Sequence, residues 1–481
     1  MSKFNVKRIS CPVHGSIGLS QIELDIIQTS AFQRLRNVKQ LGLAYYVFPG
    51  ADYSRFSHSL GVCHVTGRIL EALKDIGTDI PDTELQRYRL AALCHDIGHY
   101  PFSHATEEAV ENYYKSQLFA PTGADTAPGP LPVASDVEPF YKHEALGKEI
   151  LRRDPDIGEV LKRNRITDEE ISSVFFRSDA TATYANLVSS DLDADRIDYL
   201  LRTARHTGLP YGSVDLDYLL SQITLDAAKR VCITEKALRT ADHFLLCRYF
   251  DYQQVAFHKT VAALELVLKD VLQALLETGL LDCSGNAIVN KIQGRDWAYM
   301  DDVYGMGLIR DLERQADLDD VTRIKARSIL QRNPPKLLVQ KEIITERSRE
   351  SKSNFLGQVQ HVKNNIAKWA GEFDIAEGLW YPWHKSVSLT KMGSRLPVST
   401  FEEGTTEAER DKYEQSIRVV CADKQRSRPI SELNYSLMNV LSNQEVYSLR
   451  LYVLLTPEKE GLRKSITDRI KADLNFIDWK D

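Results

Sequence analysis

Cys94-His95-Asp96-Ile97-Gly98-His99 decides how this chain is read, because it sets an imidazole and a carboxylate side by side near the end of a stretch, Thr83 to Gly98, that reads as helix. Upstream stands Arg55-Phe56-Ser57-His58, and downstream Asp193-Ala194-Asp195-Arg196-Ile197-Asp198-Tyr199. A hard or borderline divalent cation is served by neutral imidazoles and carboxylates, with coordination positions left open for water and substrate. His58, His95, Asp96 and Asp195 supply that set, so the expected cofactor is a divalent metal; Mn, Mg, Fe and Zn all suit such donors. Arg55 precedes His58 by three residues and Arg196 adjoins Asp195, which implies an anionic substrate. The combination points to metal-assisted phosphoester hydrolysis.

Working outward, His58 to about Leu73 reads as a second helix, so His58 and His95-Asp96 are expected on different packed helices. Neighbours on a helix lie about 100° apart, and their unequal side-chain lengths let both reach one ion at the helix edge. Ser20-Gln21-Ile22-Glu23 has the form of a capping box, and Phe32, Leu35, Val38 and Leu41 recur every third residue before Gly42, predicting an amphipathic first helix. Thr167-Asp168-Glu169-Glu170 is a second capping box. Leu187, Ile197, Leu200, Leu201 and Ala204 outline a buried face on the helix of Asp195. The apolar density from Arg248 to Leu276 predicts one long core helix, and Ala120 to Ser135, rich in Pro, Gly and Ala, a surface loop.

Pro334-Pro335 interrupts a basic stretch from Arg323 to Lys352, and helical periodicity fades from Gly378 to Pro397. The end holds a β-like run, Tyr447 to Leu455, and a polar amphipathic helix from about Glu460 to Phe476. The expected fold is mainly α. Residues 1–335 form a helical domain with an N-terminal extension, and 336–481 a smaller α/β region that completes the fold and supplies oligomer contacts.

With a net charge of -6 and a pI near 6.1, the chain is not dominated by polyanion binding. A nucleic-acid contact would rest on the Arg323–Lys352 stretch, which a solvated helix face explains as well. The seven cysteines are scattered without a CxxC pair, as in reduced intracellular proteins. The polar N-terminus and the lack of an apolar run of membrane-spanning length give the expectation of a cytoplasmic, non-membrane protein. His99, His104, Glu107 and His143-Glu144 add more titratable chemistry than a core needs, and a histidine there could protonate a leaving oxygen. His64 is read as structural.

With these residues in hand, the chain resembles the HD-domain phosphohydrolases, and within them the deoxynucleoside triphosphate triphosphohydrolases related to the mammalian SAM-and-HD-domain enzyme. The resemblance runs through Pro12-Val13-His14-Gly15, Phe32 to Arg36, Lys39-Gln40-Leu41-Gly42, Tyr45 to Gly50, Arg55 to Gly61, Cys94 to His104, His143-Glu144, Asp193 to Tyr199 and His258-Lys259. Because it begins near residue 7, no preceding SAM domain is expected.

The resemblance implies an HD-domain helical core and hydrolysis of a dNTP to deoxynucleoside and inorganic triphosphate, by attack of water at the α-phosphorus. His58, His95, Asp96 and Asp195 look like the metal ligands. His104 looks like the acid for the 5′ oxygen, supported by Glu107, His99 and His143. Glu107 stands where the mammalian enzyme has Asp. Gln40 and Leu41 would face the sugar, Arg55, Arg196 and Arg248 the phosphates, and Tyr199 would pack on the sugar. Arg196 replaces a lysine, keeping the charge and adding a planar donor fork. Thr203 replaces an aspartate near the 3′-hydroxyl.

The relatives are often nucleotide-activated oligomers, so a homotetramer or dimer is implied. Lys7, Gln33 and Arg36 match one activator pocket, and Val47, Phe48, His258 and Lys259 its neighbour. Gln28 replaces a guanine-reading aspartate; an amide offers one donor and one acceptor face, so an activator other than GTP is expected. The biological role would be dNTP homeostasis or antiviral defence. Other HD-type nucleotide phosphohydrolase or phosphodiesterase chemistry, and a nucleotide-sensing or nucleic-acid-binding module, are the alternatives.

Overall fold

The computed structural model describes residues 6–118, 137–176, 187, 192–388, 416–420 and 426–480. The chain opens with an antiparallel hairpin, β1 (Lys7–Cys11) and β2 (Gly15–Leu19). Gly15 turns the strand at φ +71°, a conformation that a residue without Cβ reaches at little cost. The predicted capping box then starts α1 (Gln21–Ile27): Glu23 N donates to Ser20 Oγ at 3.4 Å and Ser20 N to Glu23 Oε2 at 2.8 Å.

The expected helix through Phe32, Leu35, Val38 and Leu41 does not form as one element. Thr29 caps a fresh turn, α2 (Ser30–Gln33), which tightens into a 3-10 turn over Arg34–Asn37, and Val38 is extended. A spacing of three is also the period of a 3-10 turn, so tighter chain buries the same apolar positions. Phe32, Leu35 and Val38 are fully buried.

Two longer helices follow, α3 (Arg55–Asp75) and α4 (Asp82–Cys94). Helix α4 ends earlier than the periodicity suggests. His95 caps it, and His95-Asp96 occupy the turn beyond, where Ile97 N donates to Cys94 O and His99 N to Asp96 O. Next come α5 (His104–Leu118), α6 (His143–Arg153), α7 (Pro155–Asn164), α8 (Asp168–Phe176) and α9 (Ala194–Thr207). A Cβ on Gly98 would lie 2.0 Å from the His143 carbonyl, so glycine there lets α6 start against the turn. The second capping box is made, with Glu170 N donating to Thr167 Oγ1 at 3.1 Å and Thr167 N to Glu170 Oε2 at 2.7 Å. The Ala120–Ser135 segment lies outside the described residues.

Helix α9 packs against α3 and begins at an Asp193 cap, whose carboxylate accepts from Arg196 N at 2.6 Å; Gly208 ends it at φ +72°. The chain continues through α10 (Leu216–Ser221), β3 (Ile223–Leu225), β4 (Val231–Ile233) and α11 (Leu238–Asp251). The long helix expected from Arg248 to Leu276 is two. A π-turn over Tyr252–Ala256, with Phe257 N donating to Tyr252 O, breaks the ladder before α12 (Lys259–Glu277).

After α13 (Gly285–Gln293), α14 (Asp302–Arg314) and α15 (Asp320–Leu330) come β5 (Lys336–Glu346), α16 (Arg349–Glu372), β6 (Trp380–Ser388), β7 (Arg418–Val420), β8 (Ser427–Pro429) and β9 (Gln444–Val453). The β-like run is β9, the centre of an antiparallel β5-β9-β6 sheet covered by α16. A small β3-β4-β7-β8 sheet stands apart from it. The closing helix, Arg463–Asp473, is shorter than expected because Pro457–Leu462 winds as a 3-10 turn.

The fold is mainly α. It divides into one compact unit of Met1–Ser189, Asp193–Leu209 and Leu268–Leu318, and a second of Ser190–Leu192, Pro210–Val267 and Asp319–Asp481. The boundary expected near residue 335 falls inside the second unit. The basic stretch is spread over α15, β5 and the start of α16. Among the described residues no helix is long and apolar enough to cross a membrane, and the six cysteines are free thiols.

Candidate metal centre

His58 projects from the first turn of α3, His95 from the end of α4 and Asp195 from the first turn of α9. The ligand atoms of these three lie within 4.8 Å of one another. His58 Nε2 is 2.9 Å from Asp195 Oδ1, and the His58 and His95 ring centroids are 5.4 Å apart. Asp96 stands beside them, its Oδ1 3.3 Å from His95 Nε2 and its Oδ2 3.8 Å from His58 Nε2. All four residues singled out from sequence therefore converge.

The donor set fits a divalent cation. His95 Nδ1 lies 2.7 Å from the Ala92 carbonyl, which can only accept, so Nδ1 carries a proton and Nε2 is the nitrogen left to act as a ligand. That Nε2 is buried without a hydrogen-bond partner and faces carboxylate oxygens of Asp96 and Asp195 at 3.3 and 3.9 Å. An imidazole nitrogen set among carboxylate oxygens is the donor set a divalent cation takes, and these residues would hold one.

Several residues outside the predicted set support these four side chains. Asp198, fully buried, accepts from His58 Nδ1 at 2.7 Å, from His14 Nε2 at 2.6 Å and from Arg202 Nε and Nη2, each at 2.8 Å. The i,i+4 spacing of Asp198 and Arg202 was the available signal; the His14 contact, between residues 184 apart, had none. Burial acts to lower the His58 pKa, but the hydrogen bonds to Asp195 and Asp198 outweigh it and raise it to about 9 in the metal-free protein. Burial opposes ionisation of Asp96 as well, yet Arg55 and the neighbouring imidazoles hold it well below the usual carboxylate range.

Arg55 is buried. Its Nη1 donates to Asp96 Oδ2 at 2.7 Å and its Nε to Ser103 Oγ at 2.8 Å. Phe102 and Ser103 both adopt left-handed backbone, at φ +58° and +54°, a conformation costing about 1–3 kcal/mol for such residues. The turn is held by Arg55 on Ser103 and by Asp302 Oδ1, which accepts from Phe102 N at 2.8 Å. It sets the start of α5, and with it His104.

A second cluster lies next to the first. Glu107 is met by three imidazoles, His99 Nδ1 at 3.1 Å, His143 Nδ1 at 2.9 Å and His104 Nδ1 at 3.1 Å. His99 and His143 stack at 3.8 Å, while His104 is 71% exposed. Burial would raise the Glu107 pKa, but hydrogen bonds from His104 and His143, with His99 close by, hold it far below its ordinary value. Burial, then Arg55, lowers the His99 pKa to about 3; His143, although buried, is raised by Glu107. His99 Nε2 lies 3.1 Å from Asp96 Oδ1, which joins the two clusters.

The remaining sequence-predicted residues are placed as follows. Arg196 and Tyr199 lie half-buried on α9, and Gln40 has a buried side-chain oxygen without a partner; Leu41 precedes the 3-10 turn Gly42–Tyr46. Thr203 is buried, with its hydroxyl 2.8 Å from Tyr53 OH. Lys7 and Gln28 are exposed, and Gln33 accepts from Arg36 Nε at 2.6 Å. Val47 and Phe48 are half-buried in the first unit, whereas Arg248, His258 and Lys259 belong to the second.

Fold and site together set a group of imidazoles and carboxylates that could hold a metal ion on a mainly helical core. Residues 55–203 match the family model described as the HD domain. The chain is 30% identical over 308 residues to the uncharacterized protein MJ1154 of Methanocaldococcus jannaschii, an alignment covering 63% of this chain and 55% of that one. It is 48% identical over 101 residues to the deoxynucleoside triphosphate triphosphohydrolase SAMHD1 of Homo sapiens, covering 21% of this chain and 16% of that one. The chain spans about half the length of the first curated relatives it matches. Among solved structures, a hypothetical protein from Aquifex aeolicus superposes with a TM-score of 0.66 at 25% identity, covering 96% of this chain and 99% of that one.

Proposed function

We propose that this chain is a metal-dependent phosphohydrolase, and specifically a dNTP triphosphohydrolase releasing deoxynucleoside and inorganic triphosphate. The observation that carries the proposal is the buried, partnerless His95 Nε2 facing Asp96 and Asp195 beside the Glu107 cluster. The local 48% identity to a protein named as a dNTP triphosphohydrolase supports the finer substrate class.

A bound divalent cation supplies Lewis-acid stabilisation of a phosphoryl group and an activated water. The protein's own groups do the rest. His104 is the general acid. Glu107 at its Nδ1 orients the ring and leaves Nε2 to face the departing 5′ oxygen. Arg196, at the first turn of α9, binds phosphate oxygens. Arg55 holds Asp96 in place and balances its charge. Gln40, Leu41 and Tyr199 provide the sugar-facing surface.

Nucleotide activation, with Gln28 favouring a nucleotide other than GTP, and homo-oligomer formation belong to the same proposal. Assaying the metal-supplemented protein against the four dNTPs, singly and in mixtures, with triphosphate detection tests it. Turnover seen only in mixtures reveals an activator, and stimulation by GTP alone among all nucleotides refutes the role given to Gln28.

A further inference from the structure

We propose that His14, at the tip of the β1–β2 hairpin, is a positioning residue of the metal centre. It completes the donor shell of Asp198, and Asp198 in turn aims His58 at the ion. This inference rests on the reading of His58, His95, Asp96 and Asp195 as metal ligands.

An ionised carboxylate has about four lone-pair sites. On Asp198 all four are taken: Oδ1 by His14 Nε2 and Arg202 Nη2, Oδ2 by His58 Nδ1 and Arg202 Nε. Because the carboxylate only accepts, His58 carries its proton on Nδ1 and turns Nε2 to the ligand cluster. The tautomer and ring orientation of a metal-ligating histidine are set in this way by the partner of its other nitrogen.

The His14 side chain is 2% exposed and that of Asp198 0%, so no solvent can replace a missing donor. On the opposite flank, a Cβ on Gly61 would come within 1.8 Å of Asp198 Oδ1, so α3 leaves no room there for another side chain. The hairpin does not need His14 to stay in place. Ile17 and Leu19 of β2 are fully buried, and Arg202 Nη2 reaches Cys11 Sγ at 3.5 Å. The polar contact at the tip therefore acts on Asp198 more than on the hairpin.

The test is Mn²⁺ binding by the full chain, read from the electron paramagnetic resonance of free Mn²⁺, with folding checked by circular dichroism. Wild type, His14→Phe, His14→Gln and His14→Asn are compared, with His58→Ala as the reference for a lost ligand. Gln can place an amide N–H near the position of Nε2; Asn carries the same donor one bond short, and Phe keeps a ring without a donor. The expected result is Mn²⁺ affinity about 10–100-fold weaker in His14→Phe and His14→Asn, recovered to within a few-fold of wild type in His14→Gln. If His14→Phe does not fold, the Asn and Gln pair gives the same reading. Wild-type affinity in folded Phe and Asn variants, or equal weakening in Gln and Asn, overturns the inference. A wild type that binds no Mn²⁺, or a His58→Ala variant that binds it undiminished, overturns the metal reading itself, and this inference with it.

Discussion

Gly61 and Asp198 stand so close that a Cβ on Gly61 would fall 1.8 Å from Asp198 Oδ1 and 2.5 Å from Arg202 Nη2. Gly61 lies one turn beyond His58 on α3, so the approach of α3 to α9 that brings His58 to Asp195 depends on its missing side chain. Gly61→Ala is expected to push the helices apart or displace the Asp198–Arg202 pair. The cost is about 1–3 kcal/mol from overpacking, and more where the buried pair is broken. Denaturant unfolding of the first unit's signal measures it, and Mn²⁺ affinity should fall in parallel. An alanine variant of wild-type stability and affinity would show that the helices have slack.

The pH dependence of metal binding follows from His58. Its pKa in the metal-free protein, about 9 against an ordinary 6.5, means that a cation must displace a proton at neutral pH. Mn²⁺ affinity is therefore expected to climb as pH rises toward 9, with proton release seen as a buffer-dependent heat in calorimetry. The folded-state pKa is the higher one. The stability that the imidazolium lends the metal-free protein is thus fully present below pH 6.5 and lost as pH rises through about 9. Metal binding without proton uptake by the buffer at pH 7 would contradict this.

Glu107→Gln separates the two clusters. Glu107 receives three imidazoles and lies outside the His58, His95, Asp96 and Asp195 set, so the amide variant should keep Mn²⁺ binding at that set. It should lose about 10²-fold or more in kcat, because His104 loses the carboxylate that orients its ring. Loss of metal binding along with activity would show that Glu107 serves the ligands instead.

In the second unit, Asp251 is buried with Tyr211 OH at 2.6 Å from its Oδ1, and burial raises its pKa to about 7 against the opposing effects of Tyr211 and Arg248. Here the folded state holds its proton more tightly than the unfolded chain. The contribution is present below about pH 3.8 and lost as pH rises through about 7. Unfolding free energy followed across that window should decline with pH, and Asp251→Asn should flatten the slope. An unchanged slope in the variant would assign the effect to other groups.

Much of the fold and the site was legible in the sequence because the signals were local. The Ser20–Glu23 and Thr167–Glu170 boxes and the β9 run are each written within a few residues, and all are present. Phe32, Leu35 and Val38 misled because a spacing of three serves a 3-10 turn as well as one face of an α-helix. The Arg248–Leu276 density hid the π-turn, since burial on both sides of it leaves no break in the apolar pattern. At the site, the candidate ligand residue types announced themselves, whereas His14 and Gly61 stood only inside quoted motifs, since their contacts with Asp198 come from tertiary approach that no spacing encodes.

Product analysis distinguishes triphosphate release from other phosphoester hydrolysis. Mn²⁺-supplemented protein incubated with mixed dNTPs should release deoxynucleoside and inorganic triphosphate in equal amounts, and the His95→Ala, Asp96→Ala double variant should release neither. Orthophosphate or pyrophosphate in place of triphosphate, or undiminished turnover in the double variant, would contradict the account.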